Sequence, residues 1–134
     1  MMKGALASVP ISKEWDIVGA RQTGRNIAKE LGFGSVDQAR IATAISELSR
    51  NIYLYAGNGE VSFEVIEEQA LLGLKIVAKD SGPGIKDVSR AMQDGYSMSG
   101  GLGAGLPGVK RLMDEFDLIT SEKGTKVVVV KWLR

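Results

Sequence analysis

Two stretches of apolar–polar alternation follow one another with only Glu68-Gln69-Ala70 between them. In 60–67, Val61, Phe63 and Val65 alternate with Ser62 and Glu64; in 71–79, Leu72, Leu74, Ile76 and Ala78 alternate with Gly73, Lys75, Val77 and Lys79. Period-two alternation is the mark of a half-buried strand. A parallel pairing needs a crossover of about a dozen residues, so a three-residue link forces an antiparallel hairpin. At the end of the chain a closing hairpin is expected to pair 117–121 with 125–132 through Glu122-Lys123-Gly124. Ahead of the first hairpin, 5–11 reads as a short strand. A helix then runs from Ser12 to about Leu31, stopped by Gly32. Ser35-Val36-Asp37-Gln38 has the form of a capping box for a second helix to Ala56, with Ala42, Ile45, Leu48, Ile52 and Tyr55 as its buried stripe. A short helix is expected at 87–93. A third long one starts at Leu106, with Val109, Leu112, Met113 and Phe116 on one face. Strand, helix, helix, hairpin, helix, hairpin does not alternate as a doubly wound sheet does. The expected fold is a single domain over 1–134, an α/β two-layer sandwich whose mixed, mostly antiparallel sheet carries helices on one face.

Composition narrows the chemistry. The 134 residues hold no cysteine and no histidine, so disulfides, thiolate or imidazole metal sites, and Ser-His-Asp hydrolysis cannot be built. With 17 basic and 16 acidic side chains the formal charge is +1, which gives no general attraction to nucleic acid or an anionic membrane. No apolar run approaches the ~20 residues of a membrane span. A cytoplasmic location follows as the expectation.

Three features carry functional potential. Glu47 and Asn51 lie four apart and share a helical face beside the apolar stripe. That pair reads either as solvated polar residues or as a base next to an amide oxygen able to ligate Mg²⁺. Asp80-Ser81-Gly82-Pro83-Gly84-Ile85 follows an apolar strand. It reads either as an ordinary turn or as a carboxylate at the mouth of the core, with Gly82 and Gly84 free to adopt positive φ and clear space above it. Eight of the 17 glycines fall between Gly82 and Gly108, a density better suited to backbone approaching a ligand than to scattered turns. The run from Gly100 to Gly108 leads into a helix and could bind an anion. Its Gly103-x-Gly105-x-x-Gly108 is only a formal dinucleotide fingerprint, because no βαβ unit surrounds it. No Walker A loop occurs, and a His-Arg-Asp kinase motif cannot be written.

In this order and on these elements, the three features resemble the Bergerat-fold ATPases, the family of gyrase, Hsp90, histidine kinases and MutL. Glu47…Asn51 is similar to the family's N box, Asp80-x-Gly82-x-Gly84 to its first glycine box, and Gly101-x-Gly103-x-Gly105 to its second. Gly124-Thr125 matches the closing glycine-threonine element. The match covers about 35–130. Stretches such as Glu14-Trp15-Asp16-Ile17-Val18 and Gly108-Val109-Lys110-Arg111-Leu112 extend it to the anti-sigma-factor serine kinases, in particular the switch kinases of the bacterial stressosome.

The resemblance implies an ATP- and Mg²⁺-dependent protein serine/threonine kinase. Its ATP site would comprise Asn51, Asp80, Gly82, Gly84, Ile85, Gly100, Gly101, Leu102, Gly103, Ala104, Gly105, Leu106 and Thr125. Within it Asp80 would accept from the adenine amino group, Asn51 would hold Mg²⁺, and Thr125 would support the adenine subsite. The second glycine box would cover the triphosphate, and Glu47 would deprotonate the attacking hydroxyl. The implied partners are STAS-domain antagonist and scaffold proteins as acceptors, and a PP2C-type phosphatase that the released kinase activates. A homodimer is compatible with all of this. One departure is that Tyr96-Ser97-Met98-Ser99 lacks the arginine that some related kinases place before the second box. Arg50, Arg90 or Lys110 would then supply the missing cation. The rivals are a nucleotide-gated binding module and a water-directed ATPase, the latter disfavoured because the sequence shows no transducer domain.

Overall fold

The computed structural model describes residues 4–93 and 105–134. In chain order the elements are β1 (Gly4–Ile11), α1 (Trp15–Leu31), α2 (Ser35–Tyr55), β2 (Gly59–Glu68), β3 (Leu71–Asp80), α3 (Val88–Ala91), α4 (Gly105–Leu112), β4 (Glu115–Ser121) and β5 (Gly124–Trp132). The described strands form one five-stranded sheet in the order β1-β2-β3-β5-β4. Every pairing in it is antiparallel, so the sheet expected to be mixed has no parallel pair among the described residues.

Alternation sets the layers. Val61 and Phe63 on β2, Leu74, Ile76 and Ala78 on β3, and Val127 and Val129 on β5 are buried together against Ile41, Ala44, Ile45, Leu48 and Ile52 of α2. Charged partners such as Glu64 and Lys75, paired across β2 and β3 at 3.7 Å, occupy the other face. That face is left to solvent, as antiparallel sheets permit. Gly24 lets α1 come down onto this core, because a Cβ there would run into Ile45 and Phe63.

Helix ends show where local patterns hold and where they fail. Gly32 takes a left-handed conformation (φ 103°), and the Phe33 amide reaches back to the Ala28 carbonyl at 3.0 Å, a Schellman-type stop. The start of α1 lies three residues beyond the expected Ser12. Before it, the Asp16 carboxylate accepts from the amides of Ser12 and Lys13, both at 2.9 Å, and those bonds hold its pKa below the ordinary carboxylate value. The capping box at Ser35 does not form. Gly34 occupies the N-cap position with no side-chain cap, and Gln38 Nε2 instead donates to the Phe33 carbonyl at 2.8 Å. The third long helix is shorter than its apolar stripe suggests. It ends at Leu112, and Phe116 lies on β4, because the Asp114 amide bonds to Val130 O at 2.9 Å and draws the chain into the sheet.

Among the described residues, no helix is long and apolar enough to cross a membrane.

Candidate functional site

The second half of α2, the end of β3, the loop at 82–85, the first residues of α4 and the start of β5 enclose one cleft. Leu48, Ile52, Ala78, Ile85, Leu106 and Val127 make its walls apolar, and Asn51, Asp80 and Thr125 also line it. Apolar walls with a few convergent polar groups suit a small ligand that must be both buried and oriented.

Asp80 ends β3, paired in register with Thr125 on β5 and Gly59 on β2. Its Oδ1 accepts from the Gly82 amide at 2.9 Å and from the Thr125 amide at 3.3 Å. Oδ2 has no partner among the described residues, so the carboxylate is fixed by one oxygen and presents the other. A second polar cluster stands beside it. Thr120 Oγ1 accepts from the Ile85 amide at 2.9 Å and shares a 2.9 Å hydrogen bond with Thr125 Oγ1.

The glycines of this loop are needed for a different reason than ligand clearance. A Cβ on Gly82 would lie 2.7 Å from that of Ala56, at the end of α2, and Gly82 is not among the residues at positive φ. Gly84 does adopt positive φ (80°), and a Cβ there would meet the Ser121 carbonyl. The loop is thus packed against α2 on one side and the β4–β5 turn on the other. Gly105, at φ 66°, opens α4, and Leu106 is buried. Gly100, Gly101, Leu102, Gly103 and Ala104, with Tyr96–Ser99, lie outside the described residues.

On α2, Glu47 is deeper than a residue at the edge of the core, at 3% exposure. Arg50, one turn on, pairs with its carboxylate at 3.5 Å, which commits the first of the three candidate cations to Glu47. The Asn51 Oδ1 is buried and has no hydrogen-bond partner among the described residues. Leaving such an oxygen unmet costs about 1–3 kcal/mol, and an amide oxygen is a donor that a hard divalent cation accepts. The residues present therefore fit Mg²⁺. No cluster of three acidic side chains occurs among the described residues, so a cation here would depend on Asn51, water and the ligand's own oxygens.

Sequence reasoning missed the apolar wall residues Leu48, Ile52, Ala78 and Val127 as site residues, and it missed Thr120, which stands behind the cleft. The signal for Thr120 was its cross-strand register opposite Thr125, which becomes visible only once the β4–β5 hairpin is laid out.

The description "Histidine kinase-like ATPase domain" matches residues 10–131. The chain belongs to this family. It is 65% identical over 127 residues to the serine/threonine-protein kinase RsbT of Bacillus subtilis (strain 168), covering 94% of this chain and 96% of that one. It is thus a homologue of a serine/threonine-protein kinase, built on an ATPase fold. Among solved structures, the RsbU and RsbW domains of Rv1364c from Mycobacterium tuberculosis superpose with a TM-score of 0.62 at 16% identity. That match covers 96% of this chain and 34% of the other, and at that identity it speaks for the fold alone.

Proposed function

We propose that this chain transfers the γ-phosphoryl group of ATP to serine or threonine on a STAS-domain protein. On this reading the cleft takes adenine, with Asp80 Oδ2 accepting from the 6-amino group and Thr125 beside it. Ile85 and Leu106 close on the ring faces. Asn51 would hold Mg²⁺ through its Oδ1, which has no partner among the described residues, and the ion would supply positive charge to offset that of the phosphates. Glu47 sits one helical turn from Asn51, buried and outside the residues that line the cleft; on this reading its carboxylate would orient an acceptor hydroxyl and take its proton. Arg50 holds that carboxylate in position. The glycine-rich segment 100–105, of which 100–104 lie outside the described residues, would cover the triphosphate by the family resemblance alone. Gly82 and Gly84 serve the site indirectly, by setting the loop that carries Ile85.

The observation that carries this reading is the Asn51 oxygen, buried and unpartnered, in the same cleft as a carboxylate anchored through only one oxygen. Partner switching enters through the RsbT likeness: acceptors would be STAS-domain antagonist and scaffold proteins, and the released kinase would bind and activate a PP2C-type phosphatase. Location in the cytoplasm belongs to the same reading.

Incubation with γ-labelled ATP, Mg²⁺ and a STAS-domain protein tests it. Label on serine or threonine of the partner is the expected result. Label released only as inorganic phosphate would make the chain a water-directed ATPase. Nucleotide-dependent binding without transfer would make it a nucleotide-gated binding switch.

A further inference from the structure

The turn joining β4 and β5 is seated on the loop that follows Asp80, and the contacts between them are close. Gly84 has no room for a Cβ because the Ser121 carbonyl lies there, with Thr120 Oγ1 at 3.0 Å. Gly124, from the opposite side, has no room because the Asp80 carbonyl does. Thr125 N donates to Asp80 Oδ1 at 3.3 Å. At the centre of this clasp lies one hydroxyl. Thr120 Oγ1 accepts from Ile85 N at 2.9 Å and is hydrogen-bonded to Thr125 Oγ1, also at 2.9 Å. Its other neighbour, the Gly124 carbonyl, lies at 3.4 Å, beyond the usual range for O–H···O. The hydroxyl has one proton and two lone pairs, so it can serve both short bonds at once. Ile85, in the loop after β3, and Thr125, at the start of β5, both line the cleft, and Thr120 does not line it.

From this geometry we infer that Thr120 is a positioning residue for the base subsite: its hydroxyl fixes the distance between Ile85 and Thr125, and so the width of the slot that receives a purine. The inference rests on the nucleotide reading of the cleft and adds a residue to it. Valine has the shape of threonine but cannot accept from Ile85 or bond to Thr125. Without the hydroxyl the Ile85 amide has no partner, and the slot loses its set width. Part of the base-binding free energy is then used to order the loop.

The test is calorimetry on the full chain with two ligands, Mg·ATP and Mg·tripolyphosphate, which carries the phosphates and no base. Thr120→Val is expected to weaken ATP about tenfold, the effect of one unmet part-buried hydrogen bond, and to leave tripolyphosphate unchanged. Thr120→Ser, which keeps the oxygen, is expected to restore ATP affinity. Transfer at saturating ATP should stay at the parental rate, so the loss falls in KM and not in kcat. Equal ATP affinity in the parent and the valine variant overturns the inference alone. A parallel loss of tripolyphosphate also overturns it, since the residue would then be supporting the whole fold. A parent that binds tripolyphosphate but no better with a base attached overturns the nucleotide reading and this inference together. Should the valine variant not fold, exchange at the Ile85 amide of the parent decides: protection must rise with ATP and not with tripolyphosphate, and an equal change overturns the proposal.

Discussion

Asp80 divides its carboxylate between two tasks, and that division dictates which substitution is informative. Alanine would remove Oδ1 along with Oδ2, freeing the Gly82 and Thr125 amides and loosening the loop. Asparagine keeps an oxygen for both amides and puts an amino group where Oδ2 stood, donor facing donor. Asp80→Asn should therefore keep the parental melting temperature. A charge-assisted hydrogen bond is worth about 1.5–3 kcal/mol, so ATP should bind roughly ten- to a hundredfold more weakly. Unchanged affinity by calorimetry would remove Asp80 from base recognition. The two polar residues on α2 separate in the same way. Glu47→Gln keeps the shape and loses the proton acceptor; it should slow transfer by about a hundredfold, the lower end for a general base, while ATP binds as before. Asn51→Ala removes the unpartnered oxygen, so Mg·ATP should weaken and its affinity should become nearly independent of magnesium. If that dependence survives in the alanine variant, Asn51 does not hold the metal.

Between neighbouring elements, the link from β2 to β3 has just two residues, Gln69 and Ala70, at φ 50° and 67°. Two successive positive φ values define a type I′ turn, whose usual occupants are asparagine and glycine. Neither residue here suits it, which is why the sequence carries no turn signal although the alternation on either side makes the hairpin plain. Ala70→Gly should relieve the strain and stabilise the fold by about 1 kcal/mol. It should raise the urea midpoint with the slope unchanged, and an unmoved midpoint would mean that the turn carries no strain. The same contrast runs through the other elements. β2 and β3 were legible because burial on one face imposes a period that a short window contains. Asp80, Glu47 and Asn51 were legible as candidates because each sits at a fixed offset on such an element. The end of α4 was not, because Val130 and Trp132, far along the chain, capture Asp114 through a 2.9 Å and a 2.7 Å hydrogen bond. The burial of Glu47 was hidden for a similar reason: helical spacing gives an angle around α2, but not how far its neighbours extend over that angle.

Across the whole molecule, Lys131 ties the layers together. It lies on β5 opposite Leu74, on the side of the sheet that faces the helices, and is only 8% exposed. Its ammonium donates to the Leu112 carbonyl at the end of α4 at 3.0 Å, with Asp114 at 3.6 Å and Asp37, in the first turn of α2, at 3.8 Å. One buried cation thereby joins β5, α4 and α2, and it satisfies a carbonyl that the short α4 leaves open at its last turn. Lys131→Met keeps the apolar stem and removes the charge. The Leu112 carbonyl then loses its side-chain partner, and the Asp114 carboxylate keeps only the Trp132 amide, in a poorly hydrated place, at a cost of about 1–3 kcal/mol. The carboxylates keep partial access to water, so the loss should fall short of that for a fully buried pair. Asp114→Asn in the methionine background removes the stranded charge while keeping an oxygen for the Trp132 amide, which Asp114 accepts at 2.7 Å. The double variant should accordingly be more stable than the sum of the two single losses predicts, because the residues belong to one network. Urea unfolding of the four proteins measures this directly. Additive losses would show that Lys131 and Asp114 act independently, and a methionine variant as stable as the parent would leave the join between sheet and helices to apolar packing alone.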